Sequence, residues 1–382
     1  MAGEVRVVPV DSNARLAMFL DLPRQIYTED PNWVPPFSLE LKERLNPRKN
    51  PYFHHAEMRM WLAFRGHTPV GRISAQVDKL VDKHHHAAIG HIGFFEVENN
   101  VLASQALFNA AEEWLRKMGR TAVLGPYNPT INEEPGVLVS GYDAPPMMLM
   151  GHSPSYYAGL FEEAGYTKAK DLYAFHLDIR NEILPPTVKR MCERMMKAGK
   201  FTLRRVSMRR YREDLNVILT IFNDAWSDNW GYLPMTDAEL KHTADSLKLL
   251  IREEYTYIAE AEGRPIGMMV TLPNLNEIVQ RIDGKLWPFS IFRLLWWLKT
   301  KKETTVRVPL MGVLKEFQNT PLGGAVAMAM IEQIRQNGVA NGVSHAELSW
   351  ILEDNPRMIG ILEQIGSRNY KTYRIYGKSL TA

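Results

Sequence analysis

The chain has 382 residues, of which 45% are hydrophobic and 23% charged, with a formal net charge of +3. This length favours two or three domains, and the small charge gives no argument for nucleic-acid binding. The single cysteine, Cys192, excludes an intramolecular disulfide and fits a reducing cytoplasm, with packing as its expected role. Met1–Pro9 lacks the apolar core of a signal peptide, and no run reaches the roughly 18 apolar residues of a membrane span. We therefore expect a cytoplasmic protein.

Elements of the first half begin with a short strand at Val5–Pro9 and a helix at Ser12–Ile26. Two proline-broken loops follow, Tyr27–Pro36 and Asn46–His55. Hydrophobic periodicity then predicts, in chain order, a hairpin of strands Met58–Phe64 and Pro69–Val77, strand His91–Val97, helix Val101–Lys117, strand Thr121–Gly125, helix Ser155–Glu163 and a strand pair within Tyr166–Leu177.

The second half repeats this order after a helix at Pro186–Gly199. The predicted elements are strand Phe201–Ser207, helix Tyr211–Trp226, a hairpin of Tyr255–Ala261 and Pro265–Thr271, strand Val306–Leu314, helix Ala325–Gln336, strand His345–Trp350, helix Pro356–Gln364 and strands from Tyr370 to Tyr376.

Glycines set the register of the two halves, pairing Gly71 with Gly267, Gly119 with Gly338 and Gly165 with Gly366. Near the ends, LFEEAGYTKAKDLYAF matches ILEQIGSRNYKTYRIY directly. This duplication predicts an α/β protein of two units, 1–180 and 181–382, each a mixed, mostly antiparallel sheet flanked by helices. Pro126–His152 and Pro273–Thr305 are insertions relative to the other half.

The stretch from Val306 to Gly338 reads as strand, glycine-containing turn and helix, with the turn at Gln318–Gly324 and the helix ending at Gly338. Free N–H groups and the positive end of the helix dipole face such a turn, so this geometry suits an anion. An ordinary strand–turn–helix is the alternative reading.

The element order and the run Gln318–Gly323 resemble the GNAT acyltransferase superfamily, whose pyrophosphate loop is written Q/R-x-x-G-x-G/A. The resemblance implies acyl-CoA as co-substrate, with no covalently bound cofactor. Pro321 stands where the first glycine belongs and has no N–H to donate. The first half has Glu98–Ala103 there, without glycine, so its unit is expected to be degenerate for CoA. The resemblance assigns acyl-CoA binding to Leu314, Gln318, Asn319, Leu322, Gly323, Gly324 and Asn355.

GNAT enzymes use a carboxylate or a water chain to deprotonate the amine that attacks the thioester. Glu347 is a candidate base because a charge in an apolar strand is costly unless paired or used, and a structural ion pair is its alternative. Glu133 and Glu134 form a competing pair, or a solvated turn. Phe161 and Leu362 replace the superfamily's tyrosine acid, which leaves Tyr370, Tyr373 and Tyr376 as substitute hydroxyls or as a packed β-arm.

Acceptor-binding candidates are polar or aromatic residues of the first insertion, of the segment after the first helix of the second half, and of the Glu347 strand. They are Tyr127, Asn132, Tyr142, Trp226, Asn229, Trp230 and Ser349. A metal site is not expected, because the consecutive residues His84, His85 and His86 cannot converge on one ion.

Leu286–Leu298 crowds aromatic and aliphatic residues before Lys299, Lys301 and Lys302. At about 1.5 Å per residue a helix of this length is too short to span a bilayer. Aromatics beside lysines are typical of an interfacial helix, which predicts peripheral attachment to the inner membrane through 286–302. A buried helix under the sheet is the alternative.

GPYNPTINEEPG, DAPPMML, FNDAWSDNWG, KEFQNTP and ELSWILEDN together resemble a bacterial family of long two-domain GNAT proteins, some of which act as ceramide synthases in sphingolipid synthesis. The resemblance implies transfer of a fatty acyl group from acyl-CoA to the amine of a sphingoid base. Two alternatives remain: a GNAT acting on another amine, and a catalytically lost tandem protein that binds acyl-lipid or a partner. Acyl chain length and oligomeric state are not predicted.

Overall fold

The structure, a computed structural model, describes residues 4–381. The chain divides into two compact units. The first contains the described residues up to 172, residues 279–288 and those from 371, and the second contains residues 173–278 and 289–370. Each unit is an α/β structure with its own core.

The predicted elements occur in the predicted order, with additional elements between them. Those of the first half are β1 Val5–Pro9, α1 Asn13–Ile26, α2 Ser38–Arg44, β2 Ala56–Arg65, β3 Thr68–Asp78, α3 Lys79–His85, β4 Ile89–Val97, α4 Val101–Lys117, β5 Ala122–Gly125, β6 Val137–Ser140, α5 Tyr157–Glu163 and β7 Thr167–Asp178. Those of the second half are α6 Pro186–Lys197, β8 Thr202–Arg205, α7 Tyr211–Trp226, α8 Asp237–Leu247, β9 Thr256–Ala261, β10 Arg264–Pro273, α9 Asn276–Arg281, α10 Ser290–Thr300, β11 Thr305–Val313, α11 Lys315–Gln318, α12 Pro321–Ala340, β12 His345–Leu352, α13 Pro356–Gln364 and β13 Arg368–Ser379. Of these, α2, α3, β6, α8, α9 and α11 are the additional elements.

In the first unit the strand order is β1-β2-β3-β4-β5-β13, with β6 beside β13. Only β4 and β5 pair in parallel among its described neighbours. The side chain of Asn100 caps α4 by accepting from the N–H of Ala103 at 2.9 Å. The apolar stripe of α4 covers the sheet, where Phe108 stacks on Phe95 with ring centroids 4.7 Å apart.

In the second unit the order is β12-β11-β10-β9-β8, again with one parallel pair, β11 and β12. Helix α12 is buried along most of its length. Cys192 of α6 is also buried, and its thiol lies 3.5 Å from the carbonyl oxygen of Ala325 in α12. This contact agrees with a packing role for the cysteine.

The glycine register holds at two of its three pairs. Gly71 and Gly267 lie opposite Val97 and Val313, and a Cβ at either position would meet the covering helix, at 2.7 Å from Leu107 Cδ1 and 3.0 Å from Val326 Cγ1 respectively. Gly165 and Gly366 both follow a helix with positive φ, as a helix end requires. These pairs confirm that the two units are built alike.

The third pair was wrong. Gly119 follows α4 with φ +73°, but Gly338 lies inside α12, which continues to Ala340 and is followed by Gly342 at φ +86°. A second correction concerns Tyr166–Leu177, which contains part of one strand, β7, rather than a strand pair.

Candidate active site

A pocket opens in the second unit where β11 and β12 diverge. The two strands pair in parallel from Thr305 opposite His345 to Val308 opposite Leu348. Beyond that point they enclose a cavity of about 200 Å³ together with α7, α12 and α13. Its wall includes Ala225, Trp226, Asn229, Pro309, Met311, Gly312, Gln318, Gly323, Gly324, Ala327, Ser349, Trp350, Asn355, Arg357 and Met358.

The glycines expected in a turn belong to the first turn of α12. The hydroxyl of Thr320 accepts from the N–H of Gly323 at 3.1 Å, and Pro321 fits the first helical position because its missing N–H would have no helical partner. These two residues start the helix earlier than apolar spacing predicts. Gly323 is required there, because a Cβ would lie 2.0 Å from the carbonyl oxygen of Phe317. Gly324 has open space around it and lines the pocket.

Of the other residues expected to bind acyl-CoA, some line the pocket and some do not. Gln318 lines the pocket and donates through Nε2 to the carbonyls of Ala225 and Val313. Asn355 lines the pocket and caps α13 by accepting from Met358. Leu314, Asn319 and Leu322 are not among the lining residues; the N–H of Leu314 donates to the carbonyl of Ile266.

Sequence reasoning missed Arg357, which lies in the first turn of α13 and lines the pocket. Its Nη1 donates to the Oδ1 of Asn319 at 2.6 Å, and both side chains are exposed. The arginine therefore supplies a positive charge at the pocket. Its position next to Asn355 and Pro356 was the available signal.

Glu347 lies on β12 and is completely buried, with 0% of its surface exposed. Its Oε1 accepts from the hydroxyl of Ser349 at 2.5 Å, and its Oε2 accepts from the hydroxyl of Tyr370. Arg307, opposite Glu347 on β11, donates through Nε to the Ser349 hydroxyl at 2.7 Å and lies 3.5 Å from Glu347 Oε1. Arg307 was not noticed in the sequence, although it is a charge within an apolar strand just as Glu347 is.

Two histidines lie beyond Tyr370. The ring of His176 lies 5.6 Å from that of Tyr370 and 4.8 Å from that of His345. Burial and the neighbouring His345 lower the pKa of His176. The His176 imidazole thus borders the network around Glu347, and His345 lies beside His176.

The segment after α7 contributes one wall of the pocket. The indole N–H of Trp226 donates to the carbonyl of Met311 at 3.2 Å, and its ring lies 5.6 Å from that of Trp350. Asn229 lines the same cavity, whereas Trp230 is not among the lining residues.

Glu133 and Glu134 belong to the first unit, where both approach Arg44. The distances from the guanidinium are 3.6 Å to Glu133 and 2.7 Å to Glu134. Burial alone would lower the pKa of Arg44, but Glu134, Glu40 and Glu133 together raise it well above its ordinary value. In the first unit this pair therefore holds an arginine whose side chain is 10% exposed.

The other first-insertion candidates also make contacts within the first unit. Tyr127 is buried, with its ring edge-on to that of His91 at 4.7 Å. Asn132 donates its N–H to the hydroxyl of Thr130, and the Tyr142 hydroxyl donates to the carbonyl of Leu138 at 3.0 Å. All the residues that line the cavity described above belong to the second unit.

A largely buried carboxylate of the first unit also escaped sequence reasoning. Glu96 of β4 accepts from the Tyr157 hydroxyl at 2.7 Å and lies 3.6 Å from Arg72. Burial raises the pKa of Glu96, against the opposing effect of Arg72. Its signal was again a charge within an apolar strand.

The insertion of the second half contains α10, whose two faces differ. Leu294 and Trp297 are buried, while Phe289, just before the helix, Phe292 and Trp296 are 74%, 67% and 56% exposed. Arg252 donates to the carbonyl of Leu298 at 2.7 Å, which attaches the helix to the second unit. The segment expected to be interfacial therefore contains a helix that is attached to the second unit and has one exposed apolar face.

Within residues 4–381, no group of three or more His, Cys, Asp or Glu side chains could hold a metal ion. The three histidines at 84–86 are exposed, at the end of α3. No helix of the described chain is both long enough and apolar enough to cross a membrane.

No family model matches the sequence. The chain is 43% identical over 379 residues to the bacterial ceramide synthase of Caulobacter vibrioides (strain NA1000 / CB15N), which covers 99% of this chain and 98% of that protein. It is 37% identical over 365 residues to protein YghO of Escherichia coli (strain K12), covering 96% of this chain and 93% of that protein.

Solved structures show the fold. A tandem GNAT protein from the clavulanic acid biosynthesis pathway matches with a TM-score of 0.56 at 15% identity, over 99% of both chains. A GCN5-related glucosamine N-acetyltransferase region of a fungal β-N-acetylglucosaminidase matches with a TM-score of 0.59 at 15% identity, over 99% of this chain and 38% of that chain. The predicted fold class, two GNAT units in tandem, is confirmed.

Proposed function

The chain belongs to the family of the bacterial ceramide synthase and is an acyltransferase of the GNAT fold, and on that premise we propose that it transfers a fatty acyl group from acyl-CoA to the amine of a sphingoid base. The observation that carries the proposal is the pocket between the diverging strands β11 and β12, with a buried carboxylate network at its wall. This reaction is a step of sphingolipid biosynthesis.

The rim of the pocket supports a phosphate-containing donor. Pro321 has no N–H, and the N–H groups of Gly323 and Gly324 already donate to Thr320. Fewer backbone donors are therefore left for a pyrophosphate than in an uncapped helix start. Arg357 compensates by offering a charged donor at the same pocket.

Glu347 is the proposed base. An amine must lose a proton before its nitrogen can attack the thioester carbonyl, and the buried carboxylate of Glu347, one hydrogen bond behind the pocket wall, can receive that proton. The nitrogen then bonds to the acyl carbon, the carbon–sulfur bond breaks, and the CoA thiolate takes the second amine proton. Tyr370 donates to Glu347 and does not line the pocket, so it positions the carboxylate instead of supplying a proton to the thiolate.

The proposal is tested by incubating the purified protein with a long-chain acyl-CoA and a sphingoid base. We expect equal amounts of free CoA thiol and N-acyl product, measured by thiol titration and mass spectrometry. A ligand that binds the folded state raises the apparent stability of a protein. If acyl-CoA alone raised the melting temperature but no N-acyl product formed, the result would instead support the catalytically lost alternative. If product formed only with a different amine, the proposed acceptor would be wrong but acyl transfer would stand.

We also propose that 286–302 holds the protein on a membrane surface, where a long-chain amine is available. The exposed apolar face of α10 is followed by exposed Lys299 and Lys302, and Lys302 Nζ lies 4.2 Å from the ring centre of Trp296. Apolar burial and attraction to anionic lipid act together at such a face. Charge screening over about 8 Å at physiological ionic strength should weaken binding as salt rises.

Phe292→Glu with Trp296→Glu tests this surface by sedimentation with anionic vesicles. We expect loss of vesicle binding with an almost unchanged melting temperature, because both side chains are exposed. Leu39→Glu is the matched control, since Leu39 is 60% exposed on α2. A parent protein that never sediments with vesicles would remove the membrane proposal while leaving the acyl transfer intact.

A further inference from the structure

We propose that Ser349 receives the proton of the substrate amine and passes its own proton to Glu347, so that the base acts through the serine hydroxyl. The inference rests on the proposed function, since it assigns the first proton step of that reaction. It concerns a residue whose expected role was only substrate binding.

The order of the two side chains along the pocket wall supports this relay. Ser349 lines the pocket, whereas Glu347 is not a lining residue and has no exposed surface. A substrate in the pocket therefore meets Ser349 first. Glu347 lies one hydrogen bond further in, at 2.5 Å from the serine hydroxyl.

Arg307 fixes the direction of that hydroxyl. A guanidinium only donates, so the bond of 2.7 Å from Arg307 Nε occupies one lone pair of the serine oxygen and excludes the serine proton from that side. The proton then points to Glu347, which only accepts when it is ionised. The oxygen keeps one lone pair that no described residue occupies, and this lone pair can accept from an ammonium group.

The proton transfer balances without another reactant. One N–H proton of the ammonium moves to the Ser349 oxygen as the serine proton moves to Glu347, leaving a neutral amine, a neutral serine and a protonated Glu347. The amine lone pair forms the C–N bond, and the remaining surplus amine proton leaves with the CoA thiol. Glu347 returns its proton to solvent before the next cycle.

Ser349→Ala tests the relay in the full-length protein. We expect turnover to fall about 10²-fold with the KM for acyl-CoA unchanged, because general-base assistance contributes roughly that much. Arg307 Nε lies 3.5 Å from Glu347 Oε1, so these two groups can form a direct ion pair when the serine hydroxyl is removed. A melting curve checks that the variant folds. Ser349→Thr keeps a hydroxyl and should restore most of the turnover.

Two further readouts separate a relay from a structural role. The loss in Ser349→Ala should shrink as pH approaches the pKa of the free amine, since a neutral amine needs no base. Ser349→Ala combined with Glu347→Gln should be no slower than either single variant, because both residues serve one proton path. Ser344→Ala is the control: its hydroxyl donates to the carbonyl of Thr304 and it does not line the pocket.

Ser349→Ala with near-parental turnover, or additive losses in the double variant, would overturn the relay while leaving the acyl transfer established. If the parent protein itself made no amide, the proposed function would be at fault instead.

Discussion

The two units differ most where their parallel strands diverge. In the second unit, β11 and β12 separate beyond Val308 and Leu348 and leave a pocket. In the first unit, β4 and β5 pair only from Ile89 opposite Ala122 to His91 opposite Leu124, but the chain after β5 stays beside β4. There the N–H of Tyr127 donates to the carbonyl of Ile92 at 2.8 Å.

This segment, 126–129, is fixed beside β4 by hydrogen bonds from two strands. The amide oxygen of Asn128 accepts from the N–H of Phe94 at 2.6 Å, and Gln76 donates to the carbonyl of Tyr127 at 3.0 Å. Gly93 makes the approach possible, because a Cβ there would lie 1.8 Å from the Tyr127 carbonyl oxygen. The same fold thus has one divergence filled by its own backbone and another left open for a ligand.

Duplication of a fold therefore does not duplicate its site. The segment between the diverging strand and the long helix that covers the sheet is 98–100 in the first unit and 314–320, which includes α11, in the second. The short segment carries Glu98, which pairs with Arg65, whereas the long one leads into the first turn of α12, where Gly323 and Gly324 line the pocket. These segments therefore set the rim of the site, while β11 and β12 supply the carboxylate network behind it.

Gly93→Ala should produce the largest effect, because the new methyl group would overlap a backbone oxygen that cannot rotate away. We expect a loss of at least about 3 kcal/mol in the free energy of unfolding, the upper end for overpacking, measured by denaturant titration. Gly159→Ala is the control in the same unit, since nothing lies within 4 Å of its Cβ position. Equal stability of both variants would contradict the close approach of 126–129 to β4.

Glu347→Gln should reduce turnover by about 10²-fold or more if Glu347 is the base. Glu133→Gln and Glu134→Gln, which change the first unit, should leave turnover close to that of the parent. Glu332→Gln controls for the loss of a buried ion pair, because Glu332 bonds Arg335 at 2.7 Å outside the pocket. If Glu347→Gln, Glu133→Gln and Glu134→Gln all kept full turnover, the base would be another residue or a water molecule.

Gly324→Asp should weaken acyl-CoA binding by roughly tenfold, which corresponds to a like-charge repulsion of about 1.4 kcal/mol near the phosphates. Gly324 suits this test better than Gly323, where any side chain would disturb the start of α12. Leu102→Asp places the same charge in the first turn of α4, where the side chain is exposed. Calorimetry showing equal losses from both variants would reject donor binding in the second unit.

The smallest expected effect is a pH dependence of the first unit. Burial lowers the pKa of His91 to about 4, although Asp78 favours the charged form. The unfolded chain binds a proton below pH 6.5 that the folded unit refuses, so stability falls as pH drops from 6.5 towards 4. We expect a loss of roughly 1 kcal/mol between pH 7 and 5.5. His91→Gln should remove this loss in melting curves, and an unchanged slope would assign it to other groups.

Local sequence patterns were sufficient to predict the main strands and helices, the duplication and the fold class. Alternation and helical spacing are local patterns, and α4, α7 and α13 have the predicted bounds or nearly so. Gly71 and Gly267 showed the repeat because each has a helix against its Cα. Glu347 also stood out locally, as a charge in an apolar strand.

Contacts between distant parts of the chain followed from tertiary packing alone. Arg307 reaches Ser349 and Glu347 from the neighbouring strand β11, and Arg357 reaches the pocket from α13. Trp296 and Trp297 are adjacent and chemically identical, yet one is exposed and the other buried, because the direction of each depends on how α10 lies on the second unit. The filled divergence of the first unit depends on hydrogen bonds from 126–129 to β3 and β4, between residues far apart in sequence. Local periodicity carries no information about such pairings, since they arise only when distant segments pack together.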